Sequence, residues 1–352
     1  MQKYGIYTLA NDVVYDQLVA LLNSIEANVS LDLPVCIIPY DHRLDKIQQE
    51  INRRPQVSLY DNWDAIERWE NFAHQVWMNH PKAKEPRAER MMWYGSHLQR
   101  KFATFDGVFE KFVFYDADSL AMKPLDDLWD KLDDYDFVFD DWEHQKSKKA
   151  LALRFDIIAK TGLYAEVDIC KKLHCSSFFG SKKGLFPPEQ LNQLQDRLLN
   201  QGEVQWIANK GWWDDAFLFN YLTLRTEASF FNYTLSPRGQ DRTGNCANAD
   251  QFVNLDQVLY NRDGLKPIHR IHYMSYSHRD FTRLSQGYDV KIPHQDVFLY
   301  YRFLKKPEQQ PKQLKALRVW HHLADQIQKV VKELRRIVFP KIISRNSRFK
   351  RV

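Results

Sequence analysis

An open α/β sheet flanked by helices is the fold class that the sequence predicts, and three observations predict it. The chain opens strand-helix-strand. Apolar runs farther along end abruptly in aspartates or small residues. Stretches with helical spacing separate those runs. The 352 residues suit one large domain, or one domain with an appendage. With 44% hydrophobic and 27% charged residues, disordered, collagen-like and disulfide-scaffold classes are excluded.

The elements follow in order. Gly5-Ile6-Tyr7-Thr8-Leu9 reads as a strand. Asn11 or Asp12 can cap a helix carrying Tyr15, Leu18, Leu22 and Ile25. Val35-Cys36-Ile37-Ile38 is a continuous apolar run of the buried parallel type. Asp45 to Ile51 and residues 62 to 80 read as helices. A helix from about His97 to Phe105 leads into Lys111-Phe112-Val113-Phe114-Tyr115, which ends in Asp116-Ala117-Asp118-Ser119. Phe137-Val138-Phe139 ends in Asp140 and Asp141. Residues 144 to 172 give no clear pattern. Cys175 to Gly180 reads as a strand, Pro187 to Asn200 as a helix, and Trp212-Trp213-Asp214-Asp215 precedes another helix. Lys266 to Tyr273 reads as one short strand containing His269 and His272. The domain division is 1–300 for the body and 301–352 for a tail, with Pro307 and Pro311 at the hinge.

The four cysteines, Cys36, Cys170, Cys175 and Cys246, form no CxxC pair, so a zinc ribbon or redox motif is not expected, and a reducing compartment is. The first residues lack the basic start and long apolar run of a signal peptide. No window holds about 18 consecutive apolar residues. A cytoplasmic protein is expected, with any membrane contact at the surface.

The acidic strand end carries the chemistry. Ligands of open α/β sheets collect at the carboxyl ends of strands. Asp116 and Asp118 stand there, and two carboxylates at the mouth of a dry strand are costly unless neutralised. A divalent cation does this, and hard oxygen ligands favour Mg2+ or Mn2+. The metal can then hold a diphosphate and stabilise a nucleoside diphosphate leaving group. Solvated aspartates in a turn are the plainer alternative.

In this context the sequence resembles nucleotide-sugar-dependent glycosyltransferases of the GT-A fold, nearest the family of glycogenin and the bacterial lipopolysaccharide galactosyltransferases. Tyr7-Thr8-Leu9-Ala10-Asn11-Asp12, Phe114-Tyr115-Asp116-Ala117-Asp118-Ser119-Leu120, Ser176-Ser177-Phe178-Phe179 and Asp214-Asp215-Ala216-Phe217-Leu218-Phe219-Asn220 carry the resemblance, across roughly residues 4 to 280. It implies a Rossmann-like mixed sheet. It implies a metal held by Asp116, Asp118 and a late histidine, His272, with His269 as competitor. Asp116 would also reach the ribose, and Thr8, Ala10 and Asn11 would line the base and ribose pocket. Arg100, or alternatively Lys101, would reach the diphosphate or donor sugar, and Ser176 and Ser177 would border the donor site. Each has a structural alternative: a helix cap for Asn11, an exposed helix-face charge for Arg100 and Lys101, a satisfied histidine for His269 or His272. Asp214 and Asp215 would orient a sugar or serve as catalytic carboxylates, or simply form an acidic helix start favoured by the dipole. The tryptophans beside them suit sugar faces. Asp140 and Asp141 read as solvated loop aspartates.

The net charge of +5 is uneven. From Arg302 to Val352 there are 15 Lys plus Arg against 3 Asp plus Glu, and before it 35 against 42. From Pro311 on, Leu314, Leu317, Trp320, Leu323, Ile327 and further apolar residues recur every three or four positions, which predicts a basic amphipathic helix. Such a helix suits an anionic membrane surface, or packs on the acidic body. No nucleic-acid module accompanies it. The expected function is transfer of a sugar from a nucleotide sugar, a UDP-sugar by preference, to an acceptor hydroxyl on a glycan or glycolipid. A non-catalytic adaptor that keeps the fold and docks through its tail is the alternative.

Overall fold

In the computed structural model the described residues are 2–86, 88, 95, 97–147, 150–236 and 242–317. Eight strands precede residue 240: β1 (Gln2–Ala10), β2 (Val35–Pro39), β3 (Val57–Leu59), β4 (Phe109–Asp116), β5 (Ser119–Ala121), β6 (Phe137–Phe139), β7 (Phe178–Lys182) and β8 (Phe230–Asn232). All but β5 form one sheet, in the order β3-β2-β1-β4-β7-β6-β8. The first four run parallel; β7 is antiparallel to both β4 and β6, and β8 is parallel to β6. The expected mixed sheet flanked by helices is therefore present.

Side-chain alternation along the strands divides the core into two layers. Ile6, Val113 and Tyr115 face α1 (Tyr15–Asn28), whose Leu18, Leu21, Leu22 and Ile25 cover that face. Tyr7, Phe112 and Phe114 face the other way, toward α3 (Trp63–Asn79) and the helices Pro188–Leu199 and Asp215–Arg225. This second layer is built from rings: Phe105, Phe112, Phe137, Phe179, Phe186 and Phe219 lie in mutual contact. Each fully buried Phe contributes about 1.5–3 kcal/mol of burial energy, so the ring layer anchors β4, β6 and β7 together.

The N-terminal caps are shared differently from a simple Asn11-or-Asp12 choice. Asn11 caps the 3-10 turn Asp12–Val14 that leads into α1. Asp12 instead accepts from the amides of Lys46 and Ile47, capping α2 (Asp45–Ile51) across the sheet edge.

A third cluster closes the molecule. The hairpin β9 (Phe252–Leu255) and β10 (Val258–Asn261), then β11 (Lys266–Pro267), form a small sheet. The single strand expected over 266–273 is broken. Lys266–Pro267 pairs with β10, while β12 (Arg270–His272) turns away to pair antiparallel with β5. Pro267 has no N–H with which to extend the ladder. Two helices, His278–Ser285 and Gln295–Phe303, pack Phe281, Leu284, Val297 and Phe298 onto Leu120, Ile271 and Tyr273.

The helix predicted from Pro311 on does not start there. Lys315–Ala316 is extended and forms β14, parallel to β13 (Tyr288–Asp289), with the Lys315 amide donating to the Gly287 carbonyl at 2.8 Å. Leu314 packs on the third cluster. The body thus binds this stretch as a strand, overriding its helical spacing. The rest of the predicted basic helix, 318–352, lies outside the described residues. Among the described residues no helix is long and apolar enough to cross a membrane, and the four cysteines are free.

Candidate active site

The carboxyl ends of β1, β2 and β4 point to one edge of the sheet, because these strands are parallel. Asp116 is the last residue of β4. A two-residue turn follows, and β5 starts at Ser119. Antiparallel pairing of β5 with β12 sets His272 opposite Ser119, and the Tyr273 amide donates to the Asp118 carbonyl at 2.9 Å. The chain therefore delivers His272 directly beside Asp118, with its Nε2 3.2 Å from Asp118 Oδ1. Ligand atoms of Asp116, Asp118 and His272 all lie within 4.8 Å of one another. His269 points elsewhere: its Nε2 is 3.3 Å from Asp127, and its ring lies against Tyr233 and Phe178.

Lys101 sits behind this cluster. It lies on the 3-10 helix Gln99–Asp106 and is only 2% exposed, so it is not an exposed helix-face charge. Its Nζ is 3.0 Å from Asp116 Oδ1 and 2.6 Å from Asp215 Oδ2, and it donates to the Ser176 carbonyl at 3.3 Å. Ser176 Oγ donates to the same Asp215 oxygen at 2.6 Å. The Ser177 carbonyl accepts the Asp116 amide at 2.8 Å, and Ser177 Oγ donates to Cys175 Sγ. The two serines thus lock the lead-in to β7 onto the acidic strand end. Arg100, one residue earlier, is engaged away from it, with Glu70 and the Pro39 carbonyl.

The charges shift as these contacts demand. Burial, the largest influence, raises the Asp116 carboxyl. Lys101 opposes that, and Asp118 and Asp215 add to it. Burial also pushes Asp118 up, but His272 outweighs it and holds the carboxyl below its usual range. Lys101 would be lowered by burial, yet Asp116 and Asp215 hold its ammonium far above the ordinary lysine value. Asp214 caps the helix Asp215–Arg225, accepting from the Ala216 amide at 2.9 Å. Burial and then the Asp215 charge push it up to about 7. The expected acidic helix start is therefore present.

At the end of β1, Thr8 is fully buried and its hydroxyl has no partner. Ala10 is buried, and Asn11 joins its cap to Asp41 by a 2.9 Å hydrogen bond. Trp212 stacks on His80 and is buried, so it offers no open face.

Asp140 and Asp141 are not solvated. They are 2% and 4% exposed. Asp140 takes a bidentate bond from Arg270, at 3.1 Å from Nε and 2.9 Å from Nη2. Asp141 accepts the amides of Glu143 and Cys175, and burial followed by the Glu143 charge pushes it up to about 7. Both follow an apolar strand, as Asp116 does, and that signal was present. The matching residue is Arg270, in the His-containing segment Ile268-His269-Arg270-Ile271-His272. A cleft of about 490 Å³ opens beside His272, walled by Trp142 and Met274 and lined by Asp141, Ser177, Arg270 and Cys246. Sequence reasoning missed this cleft because its walls come from segments about 100 residues apart.

The donor set fits a divalent cation. Two carboxylates supply hard oxygens, an imidazole supplies nitrogen, and they converge from a strand end and a neighbouring ribbon. No protein-family model matches the chain, and no curated protein sequence matches it. Among solved structures it is similar to the galactosyltransferase LgtC in complex with donor and acceptor sugar analogues, at 11% identity and a TM-score of 0.46 over 85% of this chain and 95% of that one. It is also similar to mouse xyloside xylosyltransferase 1, at 8% identity and a TM-score of 0.46 over 66% and 85%. A third is the bifunctional glycosyltransferase WbbM, at 12% identity and a TM-score of 0.48 over 88% of this chain and 52% of that one. Each is a glycosyltransferase, the class that the sequence motifs resemble.

Proposed function

We propose that the chain transfers a sugar from a nucleotide sugar, a UDP-sugar by preference, to an acceptor hydroxyl on a glycan or glycolipid. One observation carries this reading: Asp116, Asp118 and His272 converge at the carboxyl end of β4, beside a cleft with an aromatic wall. Asp116, Asp118 and His272 would hold Mn2+ or Mg2+, which would supply positive charge for a departing nucleoside diphosphate.

The chain's own residues do the rest. Lys101 holds Asp116 and Asp215 in fixed positions and stays protonated. Asp215, oriented by Lys101 and Ser176, accepts hydroxyls of the sugar. Asp214, raised to about 7, holds or releases a proton near neutrality, which is where a group acting on an acceptor hydroxyl is most effective. Thr8, Ala10 and Asn11 border the base and ribose at the end of β1. Arg100 reaches a diphosphate only by leaving Glu70. The basic segment beyond 317 brings the body to an anionic membrane surface, where a lipid-linked acceptor resides.

The test is a panel of nucleotide sugars with manganese, scored by nucleotide release. Release from one donor is expected, and Asp118→Asn should abolish it. Wild-type release by that variant would remove the metal assignment. No release from any donor would favour the adaptor reading.

A further inference from the structure

His272 stands on a ribbon of two three-residue strands, β5 and β12. A two-stranded pair of this size is marginal by itself, so something outside it must fix the imidazole. Arg270 is on the same strand two residues earlier, hence on the same face. It is 1% exposed, and its fork clasps Asp140 at the end of β6 in the main sheet. The Phe178 ring lies 5.1 Å from the guanidinium.

Asp140 holds the other flank of His272 as well. Asn245 Nδ2 donates to the Asp140 carbonyl at 2.8 Å and to its Oδ1 at 3.3 Å. The Asn245 carbonyl in turn accepts the His272 amide at 2.7 Å, and the Ala247 amide donates to the His272 carbonyl at 2.9 Å. Asp250 braces this segment through the amides of Asn245 and Cys246, both at 2.8 Å. The strand that carries His272 and the segment that bonds its backbone are thus both tied to Asp140.

We propose that Arg270 is the positioning residue of the metal centre: its bidentate pair with Asp140 fixes β12, and through it His272, against the main sheet. The proposal rests on the metal reading above. Stability alone does not account for the pair, since apolar residues of similar volume often replace a buried ion pair without loss. A planar fork on a carboxylate instead imposes direction and distance.

The test measures Mn2+ affinity of the full chain by electron paramagnetic resonance, with the metal as sole ligand, alongside thermal melting without metal. The double variant Asp140→Leu/Arg270→Met removes both charges together and leaves no unpaired one. It should melt cooperatively near the wild-type temperature yet bind Mn2+ about 10–100-fold more weakly, the usual effect of losing an outer-shell partner. His272→Ala should weaken binding at least as much, and Arg270→Lys, which keeps the charge but not the fork, by less. Wild-type affinity in the double variant, with His272→Ala impaired, overturns the proposal. Unchanged affinity in His272→Ala overturns the metal reading itself. Should the double variant fail to fold, Arg270→Lys decides: weakened binding supports the proposal and wild-type binding overturns it.

Discussion

Lys101 is a buried cation solvated by two carboxylates and a carbonyl, with the Phe114 ring 5.0 Å away. Replacing it with Met leaves buried Asp215 and half-buried Asp116 as neighbouring like charges without their cation. Removing one partner of a buried pair costs about 3–5 kcal/mol, so Lys101→Met should lower the denaturant midpoint strongly in metal-free buffer. A loss below about 1 kcal/mol would mean that the ammonium contributes no more than a surface charge. Asp214 gives a pH signature. Its folded-state value is raised from 3.8 to about 7, so the folded chain holds this proton more tightly than the unfolded chain does. Its contribution is fully present below pH 3.8 and is lost as the pH rises to about 7. Asp214→Asn keeps the cap and cannot ionise. It should therefore raise the melting temperature relative to wild type at pH 8 and leave the difference near zero at pH 4, if melts at the two pH values are compared. At this scale the sequence singled out Asp116 and Asp118, and the fold brings their carboxylates beside His272. The sequence did not choose between Arg100 and Lys101. That choice depends on the 3-10 winding of residues 99–106, with three residues per turn in place of 3.6. Asp140 was misread as solvated because its partner Arg270 is 130 positions away.

The elements that position the site differ in how much they announce themselves. β1, β2 and β4 are strands of five residues or more, each with an apolar stretch, and were legible as strands. β3, β5 and β8 have three residues each and, unlike the all-apolar β6, mix polar with apolar residues; they owe their conformation to the partner strand. The β9–β10 hairpin turns on Asp256 and Gln257, both at positive φ, a pair far less telling than Asn-Gly. Two predictions belong to this scale. The helix His278–Ser285 begins with a reciprocal capping box between Ser277 and Asp280. Ser277→Ala should cost about 1 kcal/mol by chemical denaturation. The β5–β12 ribbon should also respond to the ion. Manganese at a hundred times its dissociation constant adds about 2.7 kcal/mol to a fold that alone binds it. Calorimetry should register that gain for wild type and its absence for Asp118→Asn.

At the scale of the whole molecule, the helix Gln295–Phe303 and the β13–β14 pair carry the body past residue 300. We therefore propose that the body includes residues 301–317. A chain ending at 317 should melt within a degree or so of the full chain and sediment less with anionic liposomes. A chain ending at 306 should melt lower, since it loses β14 and the Leu314 contact. Equal sedimentation of the full chain and the 317 chain would remove the membrane role from the tail. The division of charge was legible because it needs only counting. The extended conformation of Lys315–Ala316 was not, because a helical spacing there is overridden by an edge strand.

The ribbon also carries a consequence in time. Ser119 and His272 pair across 153 positions of chain, among the longest closures in the molecule, and such contacts form late because loop entropy is paid first. A contact absent from the folding transition state changes the unfolding rate and leaves the folding rate nearly untouched. Bound manganese should thus slow unfolding in a stopped-flow jump without hastening refolding, acting as a latch on a finished body.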